Sequence, residues 1–283
     1  MSSSHDWEIP GALGKPLVGT AHVPDEKPRG VVVLLHGFMG YKDYGFIPRL
    51  ADRLVTEHLI VQRFNFSHSG MGHGHGSIDV DRFRLDTWNR QVEDVLCVMD
   101  AIRKGTLERS ELPVALFGHS RGGVTAILAA GRHAEDERMA SLRGVITASA
   151  PAMASRLSDA EQDQFRQNGS IQVMSSRTGQ QLQIDAGWLR EQQADPEGHD
   201  LPTQAGRLRA PLSIIHGLSD PTVSPDDASL IAEAAGERAM MRLIHDADHV
   251  YNTPNPSQEG GMPSVQASEM QQIVVDCCKR WFK

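Results

Sequence analysis

Residues 114–131 read VALFGHSRGGVTAILAAG. A short apolar run of strand character meets a serine set between glycines, and a helix-forming apolar segment follows at once. Gly118, Ser120 and Gly122 form a G-x-S-x-G pattern, which a chain of this length and composition produces by chance about 0.2 times. The flanks add weight to that modest signal. A strand has to end near Phe117 and a helix has to begin just after Ser120, which sets the serine on a tight strand-to-helix turn. Side chains at 118 and 122 would collide with neighbouring backbone there; glycine at both removes the collision, and Gly123 lets the new helix approach the sheet. The alternative is a plain glycine turn carrying a polar serine.

Outward from this stretch, apolar runs alternate with longer helical segments. VVVLLH (31–36), LIVQRFNF (59–66), PVALFG (113–118), GVITASA (144–150), LSIIHG (212–217) and AMMRLIH (239–245) read as strands. Several are almost continuously apolar, as strands covered on both faces of a parallel sheet must be. Residues 45–58, 86–104, 122–133, 226–236 and 265–282 read as helices, and LVGTAHV (17–23) as an antiparallel strand at the N-terminal edge. This order predicts a single doubly wound, mostly parallel α/β domain over 1–283, with its ligand at the carboxyl ends of the strands. Residues 152–208 interrupt the alternation: they are rich in Gln, Ser, Arg and Asp, with short helices at 158–167 and 186–193. The stretch is too long for an ordinary connection and reads as a small cap or lid inserted over the strand ends, against the alternative of a partly ordered surface excursion.

A serine hydroxyl needs a base at neutral pH, and the base needs an orienting acid. In this topology the chain order is Ser, then Asp or Glu, then His. IIHGLSDPTVSP leaves a strand and reaches Asp220; LIHDADHVYN leaves the next strand and reaches His249. Both lie beyond strand carboxyl ends, on the rim expected for Ser120. Asp246 and Asp248 are closer to His249 in sequence, but near neighbours seldom reach the inner imidazole nitrogen, and they read as turn-formers. Asp226 and Asp227 read as caps of the following helix. His36, His119, His216 and His245 read as packed or structural neighbours. For a developing oxyanion, the donors expected are the Arg121 N–H and, from the glycine-rich turn His36-Gly37-Phe38-Met39-Gly40, the Phe38 N–H, with Met39 as the alternative. One such donor is worth ~2.7–4 kcal/mol in the transition state.

HGFMG, GHSRGG, HGLSDPTV and DADHVY together resemble the α/β-hydrolase-fold serine hydrolases, near small bacterial esterases and the hydrolases related to the catalytic domain of prolyl oligopeptidase. The resemblance covers nearly everything except 152–208. It implies Ser120, Asp220 and His249 as a catalytic triad, Phe38 and Arg121 as oxyanion donors, and no metal or cofactor. The large additional domain usual in prolyl-oligopeptidase relatives has no counterpart here, so the expected reaction is cleavage of small carboxylic esters. A peptidase or amidase of the same superfamily, or a silent binding protein on the same fold, is the alternative.

Bulk properties exclude other classes. The 36 acidic residues exceed the 28 basic ones for a net charge of −8, and no Lys/Arg block offers a footprint for nucleic acid or an anionic membrane. No apolar stretch approaches the ~20 residues of a membrane span, and MSSSHDWEIPG lacks the basic start and apolar centre of a signal peptide. Cys97, Cys277 and Cys278 are too few and too clustered for a disulfide framework, which suggests a cytoplasmic protein. His68, His73 and His75 share a glycine-rich loop, but carboxylate or cysteine partners are missing from it, and the segment reads as a rim loop rather than a metal site. Its glycines 70, 72, 74 and 76 lack the Walker spacing of a phosphate cradle.

Arg121 is the anomaly. A cation at a helix N-terminus opposes the helix dipole by ~0.3–1 kcal/mol when exposed. An acidic partner, or a substrate carboxylate, would remove that penalty; the ion pair is the reading preferred here. Arg156 and Arg177 in the 152–208 stretch are rival recognition residues.

Overall fold

A computed structural model of the chain describes residues 2–72, 74, 76–108, 111–256 and 261–283. Successive side chains on a strand face opposite ways, so the apolar run 31–35 divides. Val31, Val33 and Leu35 join one hydrophobic cluster, and Val32 and Leu34 join the other. Each fully buried side chain of this kind contributes ~1.5–3 kcal/mol, and both faces must therefore be covered by other elements.

The strands are β1 (Ser3–Pro10), β2 (Pro16–Val23), β3 (Gly30–Leu35), β4 (Leu59–Asn65), β5 (Val114–His119), β6 (Leu142–Ala148), β7 (Ser170–Met174), β8 (Gln181–Asp185), β9 (Leu212–Gly217) and β10 (Ala239–Ile244). Eight of them form one sheet in the order β1-β2-β4-β3-β5-β6-β9-β10. From β4 to β10 every pairing is parallel, while β2 runs antiparallel to both β4 and β1. The helices are α1 (Ile47–Val55), α2 (Val80–Phe83), α3 (Trp88–Arg103), α4 (Arg121–Arg132), α5 (Asp159–Asn168), α6 (Gly187–Ala194), α7 (Pro196–His199), α8 (Leu201–Arg207), α9 (Asp226–Ala235) and α10 (Val265–Trp281). The buried residues of α1 and α10 cover one face of the sheet; those of α3, α4, α8 and α9 cover the other. Strand order reverses between β3 and β5, and a crevice opens at such a switch point. No helix among the described residues is long and apolar enough to cross a membrane.

The N-terminal edge differs from the sequence reading. β2 lies inside the sheet, and β1 pairs along its whole length to form the edge. Its residues, SSHDWEIP, are mostly exposed and carry little apolar pattern. Backbone pairing to the open flank of β2, with Trp7 and Ile9 resting on the core, is what recruits it.

Residues 152–208 fold as α5, the antiparallel hairpin β7–β8, and α6 to α8. Ser158 and Glu161 close a capping box at the start of α5, each side chain accepting from the other's backbone N–H. The segment is polar because only one side of it is covered. Phe165, Leu182, Ile184, Trp188 and Leu189 are buried and continuous with the main core. Phe165 stacks on Trp188 at 6.2 Å, and Trp188 meets Trp88 of α3 at 6.4 Å. The closing helix α8 lies directly on α4: a Cβ at Gly131 would fall 2.4 Å from the Gln204 carbonyl oxygen.

Candidate active site

The turn around Ser120 is strained. Its φ of 52° and ψ of −120° lie where non-glycine residues rarely sit, at a typical cost of ~1–3 kcal/mol. Surrounding bonds hold it there: the Ser120 N–H donates to Ala148 O at the end of β6 (2.8 Å), and Ser120 O accepts from Gly123 N–H (2.9 Å). The flanking glycines meet the requirement read from sequence. A Cβ at Gly118 would lie 2.2 Å from Gly122 O, and one at Gly122 would lie 2.4 Å from Leu35 O. Both contacts are to backbone, so neither can be relieved by a side-chain rotation.

Asp220 stands in the loop after β9 and His249 in the loop after β10, and the structure brings both to Ser120. The Ser120 hydroxyl lies 3.0 Å from His249 Nε2, and His249 Nδ1 lies 2.8 Å from Asp220 Oδ2. Asp220 Oδ1 accepts from the Thr222 and Val223 N–H groups at 2.8 and 3.0 Å. His216 Nε2 is a further neighbour of Oδ2 at 3.4 Å. Burial alone would raise the pKa of this carboxyl, but hydrogen bonds from His216, His249 and the Val223 N–H outweigh it and hold the group well below the usual carboxylate range.

His249 is aimed by its backbone as well. His119, buried beneath it, donates from Nε2 to His249 O at 2.8 Å, with the two rings 5.0 Å apart. Burial, reinforced by the nearby His249, lowers the His119 pKa to about 3, so it stays a neutral donor. Asp248 and Asp246 shape the loop: Asp248 Oδ1 accepts from Val250 and Asn252 N–H, and Asp246 O accepts from Asn252 Nδ2. His245 is exposed and pairs with Asp246.

The turn after β3 rests against the serine. A Cβ on Gly37 would come within 3.2 Å of both Ser120 Cβ and His119 Nδ1. His36 Nε2 accepts from Phe66 N–H at 3.3 Å, so the ring proton sits on Nδ1 and donates to Gly37 O at 2.8 Å. This leaves the Phe38 N–H with no acceptor among the described residues. The Arg121 N–H opens α4, where a helix supplies none.

The Arg121 side chain has an acidic partner. Nη2 lies 3.1 Å from Asp86 Oδ2, and both side chains are buried. The guanidinium lies over the Trp88 ring at 4.5 Å and the Phe38 ring at 5.3 Å. Gln91 donates to Asp86 Oδ2 and accepts from Thr125, tying the pair to α3 and α4. Burial pushes the Asp86 carboxyl up to about 6 against the opposing pull of Arg121.

A cleft of about 290 Å³ opens beside Ser120, walled by Phe38, Trp88, Arg121, Ile171, Ile184 and Trp188 together with Pro151 and 153–157. Trp88 Nε1 donates to Ala154 O, fastening that wall to α3. Arg156 pairs with Asp227, which is buried in the first turn of α9. This corrects the sequence reading of Asp226 and Asp227 as caps: Pro225 holds the N-cap position, and Asp227 is turned toward Arg156 instead. Arg177 lies over Tyr41 and donates to Gly76 O. His68 is buried, with Nδ1 2.7 Å from Ser67 Oγ, and burial lowers its pKa to about 4; His73 and His75 lie outside the described residues.

Sequence reasoning missed Asp86, Trp88 and Trp188. Asp86 precedes the Thr87 cap of α3 and reads as part of a helix start, and nothing local marks it as the partner of a residue 35 positions on.

Solved structures similar to the chain share this architecture. The esterase domain of a Rhodothermus marinus protein superposes with a TM-score of 0.68 at 19% identity, covering 99% of this chain and 100% of that one. Est1E from Butyrivibrio proteoclasticus, bound to ferulic acid, has a TM-score of 0.72 at 17% identity, covering 97% and 98%. A puromycin-hydrolyzing peptidase of Mycobacterium tuberculosis has a TM-score of 0.67 at 17% identity, covering 99% of this chain and 39% of that one. No curated protein sequence matches. Residues 26–196, from before β3 through α6, match the family described as serine aminopeptidase, S33. With the sheet order and the strained serine turn already in place, the chain belongs to that family of α/β hydrolases.

Proposed function

We propose that the protein hydrolyses small carboxylic esters through an acyl-enzyme on Ser120. The observation that carries this reading is His249 standing between Ser120 Oγ at 3.0 Å and Asp220 Oδ2 at 2.8 Å, on a serine held at φ 52°. Ser120 Oγ attacks the ester carbonyl while His249 Nε2 takes its proton. The carbonyl oxygen becomes an oxyanion facing the Phe38 and Arg121 N–H groups. Collapse breaks the bond to the alkoxy oxygen, which leaves with the proton from His249 Nε2. Water then gives a proton to Nε2 and attacks the acyl carbon. A second collapse returns that proton to Ser120 Oγ and frees the carboxylic acid. Asp220, ionised throughout, holds the proton on Nδ1 and stabilises the imidazolium.

The cleft favours esters over aminopeptidase substrates. An aminopeptidase must hold an α-ammonium group, whereas the charged side chains on these walls are the cations Arg121 and Arg156. The free thiols of Cys97, Cys277 and Cys278 fit a cytoplasmic setting.

A fluorophosphonate probe should label Ser120 in the native protein, and Ser120→Ala should lose both the label and p-nitrophenyl ester turnover while keeping its fold. Undiminished turnover in that variant refutes the mechanism, and an unlabelled native protein points to a silent binding protein. A higher kcat/KM on amino-acid p-nitroanilides than on p-nitrophenyl esters points to the peptidase.

A further inference from the structure

Hydrolysis at Ser120 uses the backbone N–H of Arg121 and has no use for its side chain. That side chain is nevertheless only 9% exposed, on the wall of the cleft, with its guanidinium facing the rings of Trp88 and Phe38. Nη2 lies 3.1 Å from Asp86 Oδ2, yet neither Nη2 nor Nε donates a hydrogen bond among the described residues. Buried donors of a charged group are costly to leave unpaired.

We propose that the Arg121 side chain selects the acyl group, favouring flat apolar acyl groups that end in a neutral hydrogen-bond acceptor such as an aryl ketone. The proposal rests on the ester-hydrolase reading of the same site. Three features support it. The leaving oxygen must be reached by His249, which stands outside these walls, so the cleft on the side of Phe38 and Arg121 takes the acyl part. Phe38, Trp88, Ile171, Ile184 and Trp188 offer apolar walls, three of them aromatic, to a planar group. Nε and Nη2 are enclosed by protein, with Nη2 beside Asp86, which leaves Nη1 as the guanidinium nitrogen that an acceptor in the cleft would meet.

Charge then separates neutral acceptors from carboxylates. Asp86 already balances Arg121, so an acyl group ending in a carboxylate would bring a second anion beside a buried one. Sites built to hydrogen-bond a substrate discriminate strongly against an analogue that leaves the donor unpaired.

The test uses the Ser120→Ala protein and two pairs of methyl esters, of benzoic and of cinnamic acid, each carrying a 4-acetyl or a near-isosteric 4-isopropenyl group. Calorimetry should show the acetyl member of at least one pair binding about 10-fold or more tightly than its isopropenyl twin. The preference should fall below about 2-fold in a Ser120→Ala protein that also carries Arg121→Met and Asp86→Asn, which removes both buried charges together. Equal binding within both pairs overturns the proposal, as does a preference that survives the triple change. Hydrolysis of the same esters by the native protein is read separately. Selective binding without Ser120-dependent turnover keeps the selectivity and refutes the hydrolase reading. Turnover with equal binding does the reverse.

Discussion

Asp220→Asn tests how the carboxylate acts. Asp220 Oδ1 accepts two backbone N–H bonds, from Thr222 at 2.8 Å and Val223 at 3.0 Å, and Oδ2 faces His249 Nδ1 at 2.8 Å. An asparagine must place its oxygen where Oδ1 was, because an amide nitrogen there would confront two donors. Its NH2 then points at His249 Nδ1, which has to accept. The imidazole proton is driven to Nε2, so the nitrogen facing Ser120 can no longer take the hydroxyl proton. Geometry is preserved while the base is disabled. A wrong tautomer of this kind lowers kcat by about 10,000-fold, or ~5.4 kcal/mol at 1.36 kcal/mol per tenfold. Steady-state kinetics on a p-nitrophenyl ester, with thermal melting alongside, measures both consequences. Asp220→Asn should melt below the native protein at neutral pH, because the charge-assisted bonds to the carboxylate go, but above Asp220→Ala, since the two backbone donors keep their acceptor. Asp220→Ala should lose activity and also stability, at ~1–3 kcal/mol for each stranded donor. A kcat for Asp220→Asn within tenfold of the native value, in a protein still folded at the assay temperature, would refute the reasoning.

Other outcomes follow from the same geometry. Gly122→Ala pushes a Cβ to 2.4 Å from Leu35 O and should destabilise by at least ~1–3 kcal/mol in urea; Gly72→Ala, with nothing within 4 Å of its Cβ, should be neutral, and equal effects would contradict the steric account. Asp86, raised by burial to about 6, is more protonated in the folded than in the unfolded chain between roughly pH 4 and 6. Its contribution to stability is therefore full below about pH 4 and lost as pH rises through 6. Asp220, held low, contributes in the opposite sense, with stability present above pH 4 and lost in acid. Urea melts from pH 4 to 7.5 should show a downward component in the native protein that is missing from Asp86→Asn; identical slopes would remove Asp86 from the account. Trp188→Ala takes away the ring that meets Trp88 and Phe165 at a cost of ~3–5 kcal/mol. Faster amide exchange confined to 159–194 is expected; unchanged exchange there would mean that the contact does not dock the segment.

Much of this was legible along the chain because the deciding signals are local. Continuous apolar runs such as 31–35 mark strands covered on both faces, and the glycine at 118 answers a clash with the carbonyl of Gly122, four residues on. The order of Ser120, Asp220 and His249 follows the order of strand ends, so a rim could be drawn before any distance was known. The hairpin β7–β8 escaped notice because SIQVM and QLQID, although they alternate polar and apolar residues, are only five residues each within a polar stretch, and β1 because a strand recruited by a neighbour's open edge needs little pattern of its own.

The sequence by itself determined which segments alternate, where the serine turn falls and which residues could share its rim, since propensity, periodicity and steric exclusion act between residues close along the chain. Only the tertiary structure decided what faces what. It set Asp86 against Arg121 and Asp227 against Arg156, and it laid Trp188 over Trp88 to form a wall of the cleft. A buried charge accepts whichever partner the fold carries within a few ångströms, and sequence separation does not encode that distance.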